Sequence, residues 1–197
     1  MDFERLQKQI AFVVEIDKLK GITRQTLLTD GSRHEDSAEH SWHLAVMALL
    51  LSEYADEKDI DLFGVLKMVL IHDLVEIDAG DTYCYDEKAN GDKAEREEKA
   101  AERIFGLLPE DQSKEFRLLW EEFEARKTPA ARYAAALDRL QPLLNNNATK
   151  GRMWQEHRVK SRQVFERNRP MEEGSSVLWE YAAKMIREAI EKGWLSA

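Results

Sequence analysis

Apolar residues recur at the 3.6-residue helical period through most of the chain, and the strict alternation of a half-buried strand is nearly absent, so the pattern predicts an all-α fold. A first helix is expected from about Phe3 to Lys20, with Ile10, Val13, Val14, Ile16 and Leu19 as its apolar side and Gly21 as its stop. The next stretch, ITRQTLLTDGSRHED, reads as a loop, because TDGSRHED carries turn formers and no apolar period. A second helix starts near Asp36, where Asp36 and Glu39 stand at capping-box spacing, and runs to about Tyr54. DLFGVLKMVLIHDLVEI is almost uniformly apolar between Leu62 and Ile71, the mark of a central, buried helix.

AGDTYCYDEKANGD then forms an irregular connection long enough to be a functional loop. Helices resume in KAEREEKAAERIFGLL, from Pro109 to about Arg126, and in TPAARYAAALDRLQPLL, where Thr128-Pro129 is a clear start signal. Pro142 removes the hydrogen bond that would reach back to the Asp138 carbonyl, so a bend or stop is expected there, with NNNATKGR as a loop. Two further helices follow, the last being VLWEYAAKMIREAIEKG, whose Val177, Leu178, Tyr181, Met185, Ile186 and Ile190 suit core or a dimer surface. No internal repeat or low-complexity tract interrupts the pattern.

At 197 residues and 43% hydrophobic content, the chain suits a single domain over residues 1–197 with one sizeable core. With 38 acidic against 29 basic side chains, the net charge of -9 opposes general attraction to nucleic acid or an anionic membrane. An anionic substrate would need local help from arginine, lysine or a cation. MDFERLQKQI lacks a signal-type apolar core, and no apolar run approaches a membrane span, so a soluble cytoplasmic protein is expected. The lone cysteine, Cys84, can neither close an internal disulfide nor build a thiolate metal site, which leaves His, Asp and Glu as metal ligands.

The strongest chemical signal is His72-Asp73 at the end of the apolar helix, where burial demands partners or a cation for both groups. A lone HD pair is usually satisfied by backbone and neighbours. Here His40 lies at the mouth of an apolar helix, Asp138 interrupts AAALDRLQPLL, and Glu76 and Asp81 follow within nine positions of His72. Two histidines and two aspartates from three helices suit a divalent first-row metal with coordination left open for water. His43, three residues after His40, differs from it by about 60° around a helix axis, so geometry alone does not choose between them.

The order H…HD…D resembles the HD-domain superfamily of metal-dependent phosphohydrolases, and within it the 5'-deoxynucleotidase group. AEHS (Ala38 to Ser41), HDLVE (His72 to Glu76), AGD (Ala79 to Asp81) and LD (Leu137-Asp138) carry the resemblance over roughly residues 20 to 145. It implies a helical bundle in which His40, His72, Asp73 and Asp138 hold one divalent ion, and it selects His40 over His43. The helix dipole at a first-turn position also disfavours protonation and keeps that imidazole free for a metal. By the same resemblance, Glu76 orients and deprotonates the attacking water, Asp81 is an acid beside the scissile phosphate, and Arg24 reaches the substrate phosphate with its fork of donors. The chain departs from the group at Gln25, where those enzymes carry a nucleotide-contacting tryptophan, which puts selectivity for deoxyribose in doubt.

The expected function is therefore removal of phosphate from a nucleoside 5'-monophosphate by a homodimeric enzyme using one divalent ion, with Mn, Co, Fe, Zn, Ni and Mg all open. Arg33, Lys93 and Arg96 are weaker candidates for a basic rim, and Tyr83, Cys84 and Tyr85 for a wall against base or sugar. Two alternatives keep the fold: a di-iron oxygenase drawing on His43 or His34, and a metal-bound nucleotide sensor without turnover. Having only five histidines weakens the first, and Glu76 with Asp81 beside the ligands weakens the second.

Overall fold

The fold was obtained as a computed structural model that describes residues 3–86 and 88–197; Met1, Asp2 and Glu87, parts of the expected amino-terminal segment and of the long connection, lie outside the described residues. Helices dominate: α1 (Phe3–Ile16), α2 (Ser37–Leu51), α3 (Leu62–Ile71), α4 (Glu76–Ala79), α5 (Lys93–Phe105), α6 (Glu110–Ala125), α7 (Pro129–Ala148), α8 (Arg152–Glu156), α9 (Ser161–Asn168) and α10 (Ser176–Glu191). Strands β1 (Thr23–Leu27) and β2 (His34–Asp36) pair antiparallel. The segment expected to be a loop is thus a short hairpin. Its turn residues close the tip, with Gly31 at φ +71°, and Asn145 of α7 donates from Nδ2 to the Leu27 carbonyl at 3.0 Å. That bond fixes the hairpin against the bundle.

The hairpin feeds directly into α2. Asp36 accepts from the Glu39 N–H at 2.8 Å and Glu39 accepts from the Asp36 N–H at 3.1 Å, so the expected capping box starts the helix one turn before His40. α2 packs on α3, and α3 packs on α6 and α7. Leu44, Met68, Tyr133, Leu137, Leu140 and Ile186 fill the larger core between them and α10. A second cluster, with Phe12, Leu74, Val75, Ile104, Phe105 and Trp120, lies under α1 and α5 and meets the first through Leu119.

Two of these expectations, for α1 and α7, are corrected. α1 buries Phe12, edge-on to Phe116 at 5.5 Å, while Ile10, Val13 and Val14 stay exposed, because the helix rests on the bundle along a different stripe. α7 passes through Pro142 to Ala148 and absorbs the three asparagines. Losing one N–H costs on the order of 3 kcal/mol, and the burial of Leu140 and Leu143 together with the Asn145 anchor offsets it. In α10, Leu178, Met185 and Ile186 are buried, whereas Val177 and Tyr181 face outward. No helix among the described residues is long and apolar enough to cross a membrane.

Gly151 starts α8 at φ +71°, and a Cβ there would run into the Trp194 carbonyl. Gly151→Ala is expected to destabilise the fold by about 2 kcal/mol or more, from left-handed strain plus the clash, and to lower the melting temperature by roughly 5 °C in a thermal scan.

Candidate metal centre and its cleft

Three breaks in regular structure aim the polar groups at one point. α3 ends at Ile71, a tighter turn covers His72–Val75, and α4 follows and stops at Gly80, whose φ of +74° turns the chain toward Asp81. This brings His72, Asp73 and Glu76 to one cleft. The first turn of α2 supplies His40, and α7 supplies Asp138 and, three residues on, Gln141. The hairpin supplies Arg24 and Glu35.

Both imidazoles are held so that Nε2 is bare. His40 Nδ1 donates to Gln141 Oε1 at 3.1 Å, which leaves Nε2 as an acceptor facing another acceptor, Asp138 Oδ1, at 3.1 Å. His72 Nδ1 donates to the Val69 carbonyl at 3.0 Å, and its buried Nε2, without a hydrogen-bond partner, lies 3.0 Å from Asp73 Oδ1 and 3.8 Å from Asp138 Oδ1. Ligand atoms of His40, His72 and Asp73 lie within 4.8 Å of one another. Acceptor against acceptor requires a proton or a cation between them, and two imidazoles with carboxylates suit a first-row divalent ion. A metal fits these residues.

The titration tendencies agree. Burial, and then Arg24, push His40 down from its ordinary value, against the pull of Asp138 and Asp73. Burial pulls His72 down as well, but Asp73 and Asp138 outweigh it and raise the group to about 9. The carboxylates that would draw a proton onto His72 would draw a metal ion equally. Asp138 is held well below its ordinary range because His40 and His72 outweigh its burial.

Arg24 lies buried among carboxylates, 2.9 Å from Asp73, 3.6 Å from Glu35, 3.7 Å from Asp81 and 4.0 Å from Glu76. Burial lowers its proton affinity, and Asp73, Glu76, Asp81 and Asp138 together raise it further. One guanidinium does not satisfy so many acids. Burial first, and Asp73 next, raise Glu76 to about 8, even though Arg24 opposes them and Ser37 Oγ donates to Glu76 Oε2 at 2.6 Å. Burial raises Asp81 too, and the Gln25 backbone N–H donates to it. Every site residue expected from the sequence, Arg24, His40, His72, Asp73, Glu76, Asp81 and Asp138, therefore gathers in one place.

The cleft around them is about 1030 Å³ including the part open to solvent. The same cleft is lined by Lys93, Arg126, Arg139 and Arg167, with Glu97 and Glu124. Lys93 pairs with Glu97 at 3.3 Å, and Arg139 is buried, pinned by bonds to the Arg167 and Ala135 carbonyls, both at 3.1 Å. Burial first, then Arg167 and Arg126, hold Arg139 down to about 10. At the outer end, Gln25 meets His157 Nε2 at 3.2 Å, and the Tyr83 ring lies 4.5 Å from the His157 ring. Tyr83, Cys84 and Tyr85 all line the cleft, as a wall requires.

Other candidates fall elsewhere. Arg33 makes a surface pair with Glu39, and Arg96 holds the long connection through the Ala79 and Ala89 carbonyls, so neither forms the rim. His34 bonds the Arg24 carbonyl through Nδ1, and His43 Nδ1 accepts from Gln141 Nε2 at 3.3 Å. Sequence reasoning missed Glu35 and Gln141. Gln141 Nε2 donates to Glu35 Oε1 at 2.5 Å, so one buried amide ties His40, His43 and Glu35 together. Burial raises Glu35 to about 7 against the opposing effects of Arg24 and Gln141. The available signal was spacing: Gln141 interrupts the same apolar run as Asp138, one turn later.

Known proteins resemble this arrangement. Human 5'-deoxynucleotidase HDDC2 is 31% identical over 136 residues, covering 68% of this chain and 65% of the human protein, so the chain matches just under two thirds of that relative's length. The fission-yeast 5'-deoxynucleotidase hdd1 is 22% identical over 193 residues, covering 95% of this chain and 86% of the yeast protein. A crystal structure described as a predicted metal-dependent phosphohydrolase from Magnetospirillum magnetotacticum is 56% identical, with a TM-score of 0.94 and coverage of 98% of this chain and 96% of that one. A Pyrococcus furiosus protein of unassigned function shares the fold at 23% identity, with a TM-score of 0.63 and coverage of 92% and 99%. The HD domain profile matches residues 16–179, which includes both histidines, the aspartates and the whole cleft floor, and by that match the chain belongs to the HD domain family.

Proposed function

We propose that this protein is a metal-dependent phosphohydrolase that removes phosphate from a nucleoside 5'-monophosphate, acting as a single HD domain over residues 1–197. The observation that carries the reading is the pair of bare Nε2 atoms facing Asp73 and Asp138, with Glu76, Asp81 and Arg24 in the same cleft. The names of the human and yeast relatives, and the description of the Magnetospirillum structure, support it.

In this reading His40, His72, Asp73 and Asp138 hold one divalent ion from the set Mn, Co, Fe, Zn, Ni and Mg. Such an ion, when bound, lowers the pKa of a water and offsets charge on a phosphate oxygen. The protein supplies the remainder. Ser37 donates to Glu76 Oε2 and leaves Oε1 free to take the proton of the water that attacks phosphorus. As the phosphorus–oxygen ester bond breaks, Asp81, whose proton affinity burial raises, is the acid placed to protonate the leaving 5' oxygen. Arg24 turns from Asp73 and Asp81 toward the phosphate oxygens and balances the growing negative charge. Gln25, in place of the group's tryptophan, presents an amide to the sugar side, so a ribose 2'-hydroxyl meets a hydrogen-bonding group there.

A homodimer accompanies this reading. On α2, Trp42, Leu49 and Leu50 are 66%, 57% and 71% exposed, and Phe63 and Leu70 of the adjoining α3 are 68% and 50% exposed. Apolar surface of that extent suits a partner copy.

Three outcomes check these statements. Stripped protein given each divalent metal in turn should release phosphate from nucleoside 5'-monophosphates of both sugars, and Glu76→Gln should lower kcat by roughly 10²–10⁴-fold with the fold intact; no release from any nucleotide despite bound metal would sink the reading. Metal titration should show binding lost in His40→Ala, largely kept in His43→Ala, and weakened by roughly 10–100-fold in Gln141→Leu, which frees His40 to rotate. Light scattering should give a dimer for the native chain and a monomer for the Trp42→Glu, Leu50→Arg double variant, and a native monomer would refute the dimer.

A further inference from the structure

A second group of residues lining the cleft is basic. Arg126 comes from the end of α6, Arg139 from α7 immediately after Asp138, and Arg167 from α9. Among the described residues none of the three makes an ion pair with a carboxylate within 4.0 Å. Arg126 Nε is buried with no hydrogen-bond partner among the described residues, and Arg167 hydrogen-bonds the Cys84 thiol. The three lie close enough to repel one another's charge at Arg139. Lys93 adds a fourth cation to the wall, and Glu97 and Glu124 offset only part of the total.

Like charges gathered from three separate elements cost free energy unless an anion joins them. In a chain whose net charge is -9, such a cluster is not general surface composition. It is also too far from neutral to serve the metal end, where Arg24 already faces Asp73, Glu76 and Asp81. Guanidinium forks match the oxygens of a phosphate in pairs, and its double negative charge would offset most of the charge of three of them. Asp138 and Arg139 are consecutive on α7 and both line the cleft, so the basic cluster and the proposed metal ligands share one cavity.

We propose that Arg126, Arg139 and Arg167 form a binding site for a second phosphate group of the substrate, so that the preferred nucleotide carries one phosphate at the metal ligands and another on this wall. The second phosphate is bound and not cleaved. This rests on the phosphohydrolase reading and narrows its substrate class to nucleotides with two phosphates, either on separate sugar positions or in a 5' chain.

The test compares nucleoside 5'-monophosphates, 3',5'-bisphosphates and 5'-diphosphates of each common base with the metal-loaded full chain. A doubly phosphorylated nucleotide should exceed its monophosphate by tenfold or more in kcat/KM, and whether the bisphosphate or the diphosphate leads shows where the second phosphate sits. Arg126→Gln with Arg167→Gln, which spares the buried Arg139, should cut that kcat/KM by roughly 10–100-fold, and that of the monophosphate far less. Equal losses on both substrates, or no preference in the native protein, would overturn the proposal while leaving the phosphohydrolase reading intact. If no nucleotide is turned over, that reading fails, and calorimetry with inorganic phosphate still decides this one: two sites per metal-loaded chain in the native protein and one in the double variant support it, whereas equal stoichiometry in both refutes it.

Discussion

The arrangement of the bundle's centre depends on an electrostatic deficit. His40 Nε2 and His72 Nε2 each face a carboxylate oxygen about one hydrogen bond away, and a neutral ring has no hydrogen to share there when its other nitrogen donates to Gln141 or to the Val69 carbonyl. Around them stand Asp73, Glu76, Asp81, Asp138 and Glu35, with Arg24 as their buried guanidinium. Buried carboxylates in such excess either take up protons or recruit a cation. Glu76 raised to about 8 and His72 to about 9 are two expressions of that shortage. A divalent ion at the two Nε2 atoms relieves both.

The surrounding architecture follows from keeping this unfavourable group together. The hairpin inserts Arg24 and Glu35 from one side, and Asn145 and the α2 capping box fix its two ends. The tight turn between α3 and α4 supplies His72 and Asp73 and, one turn on, the Glu76 carboxylate to which Ser37 donates. α7 contributes Asp138 and the Gln141 amide that holds His40, from positions three apart, which a straight helix places on one side. Passing through Pro142 without ending allows α7 to carry Asp138, Gln141 and Asn145 on one continuous element.

The helices and the cluster of acids and histidines were legible in the sequence because each rests on a local signal: a 3.6-residue period, a capping box, a polar interruption of an apolar run. The hairpin was not, since β2 is three residues long and β1 shows only one buried position, too little for alternation to register. The stripe of α1 was misjudged for a related reason: Val13 and Val14 are apolar but exposed, and only the position of α5 and α6 decides that Phe12 faces inward. Gln141 could have been suspected from its spacing to Asp138. Arg126, Arg139 and Arg167 could not, because no local pattern joins the ends of α6 and α9 to the middle of α7.

The cleft therefore carries both an acidic group around His72 and a cluster of guanidiniums, and the combination constrains what fits. A phosphate placed wholly at the metal ligands meets Asp73, Glu76, Asp81 and Asp138 and is repelled until Arg24 and a cation offset them. Placed at the guanidiniums, it meets Arg126, Arg139 and Arg167, with Glu97 and Glu124 in the same cleft. An anion with two charged groups would satisfy both sets at once, and Gln25, Tyr83 and His157 offer hydrogen-bonding and aromatic groups to its uncharged part. The overall charge of -9 repels such a molecule at a distance, so the basic wall also supplies the local attraction that the rest of the surface withholds. Under both proposals one helix would serve the two sets, because Asp138 and Arg139 are consecutive residues on α7.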